Sequence, residues 1–243
     1  MNYHDALAQL GIGSAHPGGF AATVELVEKI PLNRKMKVLE IGCGSGRTAC
    51  YLAKERQCEV IGIDIRPLMI EKAERRAAKE GVQVKFLCAD ACRLPFSDQT
   101  FDVVFAESVT VFLPIREALS EYYRVLAPGG VLYDREMVEL KPHSQDLRKK
   151  IARLYGAKLV PSFHGWIREL QKAGFKQCGV RDPCTVAAGL HSMEDMNYPD
   201  FHQEISPEVF ASMDIQKIVQ ENTEMMTMYA EYLGYGVFHG TKQ

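Results

Sequence analysis

Three short stretches carry residues whose types and spacing suit ligand chemistry. The first, VLEIGCGSGRTACYLA, occupies residues 38–53. An apolar run ends at Ile41, Gly42, Gly44 and Gly46 alternate through a loop, and a helical pattern follows. Glycines there let the chain turn sharply and let a ligand approach without a Cβ in the way. The helix N-terminus beyond them offers unpaired N–H groups and partial positive charge, which suit a carboxylate or phosphate. The spacing is Gly-x-Gly-x-Gly rather than the Gly-x-Gly-x-x-Gly of dinucleotide enzymes, and Glu40 stands two positions before the first glycine. A packing turn can carry the same glycines, but the position between an apolar run and a helix favours a ligand loop.

The second stretch is VIGIDI, with Asp64 at the end of an apolar run. A carboxylate there can accept both hydroxyl protons of an adenosyl ribose; it can also cap the helix that begins near Pro67. The third is CADACRLPFSDQTFDVV, residues 88–104. Asp90 can accept from an adenine amino group and the Ala91 N–H can meet a ring nitrogen, or Asp90 can simply cap the next turn. Phe101 and Asp102 read as structural, one in the core and the other at the entrance of a strand.

These residues need elements that bring them to one edge. Apolar runs at residues 38–41, 60–63, 84–87, 103–105 and 131–133 read as central strands covered on both faces. Helical patterns at residues 47–55, 67–79 and 114–126 alternate with them; the last two begin with Pro, and Gly81 and Pro128-Gly129-Gly130 act as stops. Such alternation implies right-handed βαβ crossovers and a doubly wound α/β sheet. All three ligand stretches then lie at strand carboxyl ends, where open α/β sheets bind ligands. Residues 18–30 form an amphipathic helix before the sheet and residues 163–173 another after it. Residues 175–180 and 235–239 look like two final strands. The expected organisation is one domain: a helical segment or lid at 1–35, a ligand-binding core at 36–186, a helical insertion at 187–234 and a last strand at 235–243.

The 243 residues, 47% hydrophobic and 25% charged, fit an ordinary globular protein of this size. The net charge of −2 argues against a nucleic-acid surface. Arg75 with Arg76, and Arg148 with Lys149 and Lys150, read as solvated helix faces. No apolar run is long enough to span a bilayer, and Met1-Asn2-Tyr3-His4-Asp5 does not open like a signal peptide, so a cytoplasmic protein is expected. Seven cysteines without paired C-x-x-C spacing read as small hydrophobes, and no metal site is expected. Met213, Met225, Met226 and Met228 read as core filler. The sequence is compatible with a homodimer but does not fix an oligomeric state.

Taken together, EIGCGSG (Glu40 to Gly46), Asp64, ADACRLPF (Ala89 to Phe96), FDVVFAES (Phe101 to Ser108) and YRVLAPGG (Tyr123 to Gly130) resemble the class I S-adenosylmethionine-dependent methyltransferases. The chain is most similar to their ubiquinone/menaquinone-biosynthesis-type (type 11) group. The similarity spans roughly residues 18–138, and YGVFHGTK at 235–242 fits the family's closing antiparallel strand. The resemblance implies a Rossmann-like sheet of order 3-2-1-4-5-7-6, mostly parallel with an antiparallel last strand. It implies S-adenosyl-L-methionine as cofactor and a small-molecule methyl acceptor as partner, with no nucleic acid and no membrane span. Implied roles follow. Glu40 holds the cofactor ammonium, and Gly42, Cys43, Gly44 and Gly46 form the loop around the methionine moiety. Asp64 takes the ribose, with Ile65 against the adenine. Asp90 and Ala91 read the adenine edge, and Glu107 sits near the methionine end and the acceptor.

Methyl transfer is an in-line displacement, so the protein mainly aligns donor and acceptor and excludes water. A general base is needed only where the acceptor carries a proton at attack. Glu107, His143, His164 and Glu136 are the candidates for it, although a lone His is more often an ordinary polar residue. The segment GIGSAHPGGF, residues 11–20, is a mobile lid or a plain tether. Tyr198, Phe201, Phe210 and Met213 line an apolar pocket or pack the insertion down. Three rivals stay open. An NAD-dependent oxidoreductase is disfavoured by the glycine spacing. An arsenite methyltransferase would need Cys50, Cys178 and Cys184 to converge. A non-catalytic cofactor-binding protein would keep the loop but lack an open acceptor pocket.

Overall fold

The computed structural model describes residues 1–141, 145–157, 159–187 and 197–243. In chain order the elements are α1 (Tyr3–Leu10), α2 (Gly19–Lys29), β1 (Lys37–Ile41), α3 (Arg47–Tyr51), β2 (Glu59–Asp64), α4 (Pro67–Glu80), β3 (Lys85–Cys88) and β4 (Phe101–Glu107). There follow α5 (Ile115–Val125), β5 (Leu126–Glu139), α6 (Gln145–Tyr155), α7 (Phe163–Lys172), β6 (Lys176–Thr185), α8 (Met213–Met228) and β7 (Leu233–Thr241). The seven strands form one sheet of order β3-β2-β1-β4-β5-β7-β6. The first five run parallel and β7 is antiparallel to both β5 and β6, as the resemblance implies.

The apolar runs become central strands because both faces are covered. Val38, Val60 and Val103 share one register and pack with Val27, Ala49 and Phe86. Leu39, Ile61 and Val104 share the next register and point into the opposite cluster, with Trp166 and Phe238. Successive residues of a strand face opposite sides, so an uninterrupted apolar run fills two cores. Phe101 is buried in the core, and the Asp102 carboxylate accepts from the Lys37 amide at 2.8 Å where β1 begins. This is the structural reading of that pair.

Three expectations change. Helix α3 passes at Leu52 into a wider π-type turn that runs to Arg56. The helix before Pro128-Gly129-Gly130 stops at Val125 as expected, but β5 starts at Leu126 rather than Val131, with the Pro-Gly-Gly turn absorbed as a register shift between Phe101 and Val103 inside a 14-residue strand. Among the methionines read as core filler, Met225 is buried, but Met213 is 82% exposed and Met228 is exposed as well.

The larger correction concerns charge. Arg76 was expected on a solvated face, yet it is 3% exposed. Its guanidinium forks onto Asp200 at 2.8 and 2.6 Å, and its Nε donates to the Ser45 carbonyl at 2.9 Å. Arg75 and Lys79 both bind Glu204, and buried Lys72 donates to the carbonyls of Ala8, Gln9 and Glu204. The basic face of α4 therefore straps residues 200–206 down and holds the carboxyl end of α1. Arg148 and Lys149, by contrast, are exposed as expected. The insertion meets α4 through its acids, Ile215 and Met225 turn into the interior, and Phe201 and Phe210 are 86% and 77% exposed.

Breaking the buried fork leaves Arg76 with only Glu80 Oε1 at 3.3 Å to offset its charge, so the cost falls below the about 3–5 kcal/mol of a fully unpaired buried ion. Asp200→Ala should lower the urea-unfolding free energy by about 2–3 kcal/mol. A loss below about 1 kcal/mol would show that the strap does not stabilise the fold.

Candidate active site

The glycine loop is built onto the neighbouring strand. The Cys43 amide donates to the Ile63 carbonyl at 2.8 Å, and the Gly44 amide donates to Asp64 Oδ2 at 3.1 Å. Asp64 Oδ1 accepts from the Arg66 amide at 2.9 Å. Asp64 thus anchors the loop and closes the turn to Arg66, but it does not cap α4, whose N-cap is Arg66 with no side-chain cap bond. Burial pushes the Asp64 carboxyl up despite those amides. Gly42 and Gly44 both have positive φ, +65° and +53°. A Cβ on Gly42 would lie 2.4 Å from Val109 Cγ2, whereas one on Gly44 meets nothing nearer than 3.7 Å. Gly42 is therefore required by a close contact with the loop after β4. Gly44 leaves open space where a ligand can approach. Gly46 serves packing: a Cβ there would press on Ala73 and Phe86.

A cavity of about 320 Å³ opens over the carboxyl ends of β1, β2 and β4. Glu40, Gly42, Gly44, Asp64, Ile65, Asp90, Ala91 and Glu107 all line it. Cys43 and Gly46 do not; Cys43 contributes its amide, and burial pushes its thiol well up. Asp90 also caps its own turn, accepting from the Cys92 amide at 2.8 Å. Glu40 is 6% exposed and its Oε2 has no hydrogen-bond partner among the described residues. Burial first, and the nearby Glu107 charge second, hold its carboxyl well above the usual range. An acceptor oxygen kept unpaired in a sealed wall is suited to a cationic or N–H-bearing ligand.

Glu107 is fully engaged. Its Oε1 accepts from Arg135 Nε at 2.9 Å, and its Oε2 accepts from the Thr23 hydroxyl at 2.8 Å, with His16 Nε2 at 3.4 Å. Arg135 also holds the Ala22 carbonyl, so this cluster ties α2 to the end of β4. Glu136 is no acceptor base: it is fully buried, and its Oε1 takes the amides of Val109 and Thr110 at 2.9 and 2.7 Å. It fixes the loop that presses on Gly42. Burial raises the carboxyls of both Asp134 and Glu136, and the Asp134 charge raises Glu136 further. His164 is exposed on α7 and does not line the cavity, so the structure does not bring it to the site. His143 lies outside the described residues.

Sequence reasoning missed the far half of the cavity. Tyr3, His4, Phe112, Met137, Tyr155 and Met226 form it, from α1, the turn after β4, β5, α6 and α8. His4 meets Phe112 edge-on at 4.6 Å, and Phe112 and Tyr155 are tilted at 5.8 Å. The signal for α1 was present: Asn2 and Asp5 make a reciprocal capping box. Ser108 was invisible too; it holds φ +55° beside the cavity, a strained setting for a non-glycine residue. Tyr198, Phe201, Phe210 and Met213 do not line the cavity. Cys50 sits in one core cluster while Cys178 and Cys184 pack against the other, and no metal-holding group occurs among the described residues.

Comparison with known proteins agrees with this architecture. A family model described as a methyltransferase domain matches residues 38–130. The uncharacterized methyltransferase YodH of Bacillus subtilis is 32% identical over 97% of each chain. The demethylmenaquinone methyltransferase of Thermus thermophilus is 38% identical over 58% of this chain and 62% of its own. Among solved structures, phosphoethanolamine N-methyltransferase 2 of Haemonchus contortus with S-adenosyl-L-methionine superposes with a TM-score of 0.76 at 19% identity, covering 99% of this chain and 57% of that one. The chain belongs to the class I S-adenosylmethionine-dependent methyltransferases.

The two loop glycines should separate in a stability measurement. Gly42→Ala meets Val109 side-chain atoms and a positive φ together, so it should lower thermal stability clearly more than Gly44→Ala. The latter bears only the φ strain, about 1–2 kcal/mol. Equal losses in thermal unfolding would contradict the assignment of Gly42 to packing and Gly44 to ligand approach.

Proposed function

We propose that this chain methylates a small molecule seated in the half of the cavity walled by His4, Phe112, Met137, Tyr155 and Met226. The observation that carries the reading is continuity: one cavity runs from the glycine loop to this apolar chamber. An open chamber beside the cofactor wall favours an enzyme over a binding protein. S-adenosylmethionine, when bound, supplies a methyl group activated by its sulfonium. The residues fit that cofactor on structural grounds: Glu40 offers an unpaired buried carboxylate oxygen, and Gly44 offers open space.

In this reading Glu40 takes the ammonium and Asp64 takes the ribose hydroxyls. Asp90 and the Ala91 amide read the adenine edge, with Ile65 on its face. The Gly42–Gly44 backbone lines the methionine portion. Residues 12–17 and α1 cover the cavity and exclude water, which strengthens each electrostatic contact inside it. Relatives are named for varied acceptors, demethylmenaquinone and sterols among them, so the family alone does not select one. No described helix is long and apolar enough to cross a membrane, and we place the enzyme in the cytoplasm as part of the same proposal.

Calorimetric titration with S-adenosylhomocysteine tests the cofactor roles. Asp64→Ala should weaken binding by about 1.5–3 kcal/mol, the usual worth of hydrogen bonds to a charged group. Unchanged affinity would remove Asp64 from the site. The Glu40 carboxyl is raised, and a bound ammonium favours its ionised form, so binding expels a proton when Glu40 starts protonated. Affinity should therefore rise with pH up to the raised value of the free protein and then level off. Glu40→Gln should flatten that slope. Radiolabelled methyl transfer to a panel of apolar alcohols, phenols and amines tests the small-molecule acceptor, and activity only on macromolecules would overturn it.

A further inference from the structure

Among the described residues, two titratable side chains of the chamber keep an uncommitted lone pair, Tyr3 and His4. Burial pushes the Tyr3 phenol up to about 12, so it stays protonated and is no base at neutral pH. Glu107 is bound by Arg135 and Thr23. His16 uses Nδ1 against the Pro17 carbonyl at 3.3 Å and Nε2 against Thr23 Oγ1 at 3.1 Å. Glu40 and Asp64 belong to the cofactor half. Tyr155 donates its hydroxyl to Asn222 Oδ1. His4 is different. Its Nε2 lies 3.2 Å from the Tyr155 carbonyl oxygen. A carbonyl oxygen only accepts, so Nε2 must carry the hydrogen. That bond selects the tautomer, and Nδ1 is left as the bare, basic nitrogen.

We propose that His4 Nδ1 is the general base that takes the acceptor's proton during methyl transfer. The inference rests on the small-molecule reading above. The geometry supports it in two further ways. The ring is fixed: it packs edge-on against Phe112 at 4.6 Å and beside Tyr3 at 5.5 Å, so Nδ1 keeps one direction. It also lines the cavity, and Nδ1 has no hydrogen-bond partner among the described residues. The groups facing it do not change its role. Burial lowers the imidazole below its ordinary value. The bond to Tyr155 raises it in part, Arg66 lowers it and Asp5 raises it. Arg66 and Asp5 pair with each other at 3.2 Å. The neutral imidazole is accordingly the resting form at neutral pH.

The chemistry balances. The acceptor's lone pair makes the new bond to the methyl carbon, and the carbon–sulfur bond breaks with its electrons left on sulfur. The acceptor's proton passes to Nδ1, and the imidazolium then returns it to solvent. No oxidant or further reactant is needed. A helix of eight residues with a capping box at its start presents the ring, and Lys72 holds the carboxyl end of that helix.

Two readouts test this, and the first needs no turnover. Nitrogen-15 NMR of the intact protein saturated with S-adenosylhomocysteine should show His4 with Nε2 protonated and Nδ1 bare. Millimolar phenol, chosen as a small apolar O–H donor, should shift the Nδ1 resonance and leave Nε2 nearly unmoved. A protonated Nδ1, or one that phenol does not move, overturns the proposal whether or not an acceptor has been found. The second readout uses acceptors methylated in the panel above. His4→Gln keeps a side-chain donor for the Tyr155 carbonyl but has no base. It should lower kcat by about 10²–10⁴-fold, the usual worth of general base catalysis, with S-adenosylhomocysteine affinity unchanged. The wild-type rate should fall on acidification through the lowered His4 value, and His4→Gln should lack that limb. Retained kcat or a retained limb in His4→Gln overturns the proposal. A panel with no methylated acceptor counts against the small-molecule reading, and the NMR result still decides His4.

Discussion

Two hydrogen bonds, from the Cys43 amide to the Ile63 carbonyl and from the Gly44 amide to Asp64, join the glycine loop to the end of β2. Everything at the carboxyl edge depends on that join. It turns two sequence motifs twenty residues apart into one rigid wall, and it commits one oxygen of Asp64 before any ligand arrives. The other side of the loop is set by Val109 against Gly42, and Val109 is itself held by Glu136 beneath it. The loop is thus gripped by β2 on one flank and by the β4–α5 connection on the other. A preorganised wall of this kind loses little freedom when a ligand binds, which is where affinity is gained.

The site also shows how a protein keeps several carboxylates in a small buried space. Each is handled differently. Glu107 is neutralised by Arg135 and braced by Thr23. Glu136 takes two backbone amides, and burial with Asp134 beside it favours its protonated form. Asp64 is satisfied by amides at a strand end. Among the described residues Glu136 Oε2 and Glu40 Oε2 are both buried without a partner. Of these carboxylates only Glu40 brings its unpaired oxygen to the cavity wall, where the Ser14 hydroxyl is unpaired as well. Burying an unpaired polar atom costs free energy, and such a cost persists where a ligand offsets it. The uneven treatment of these acids separates scaffold from binding surface more sharply than their positions in the chain do.

The glycine-loop half of the cavity was legible in the sequence because its signals are local. Glycines at Gly42 and Gly44 and carboxylates at strand ends depend on a strand and the loop after it, and both can be read from a dozen residues. The strand order followed from the family resemblance. The far half was not legible, because His4, Phe112, Tyr155 and Met226 come from four separate elements and meet only in three dimensions. The same holds for Arg76. Its partner Asp200 lies 124 positions away, so an arginine beside another basic residue on a helix read as solvated. Glu136 misled for a related reason: a carboxylate near a strand's carboxyl end looks catalytic until its amide partners are seen. The outward-turned Phe201 and Phe210 show the limit of reading apolar residues as pocket walls.

The central claim is that the edge built on Gly42, Gly44 and Asp64 seats the adenosyl donor with its reactive sulfur toward the chamber of Phe112 and Tyr155. A crystal structure with S-adenosylhomocysteine tests it directly. The account predicts ribose hydroxyls on Asp64, the ammonium on Glu40 Oε2, and the sulfur facing that chamber. A ligand seated elsewhere on the sheet, or one whose sulfur faces away from Phe112 and Tyr155, would contradict it.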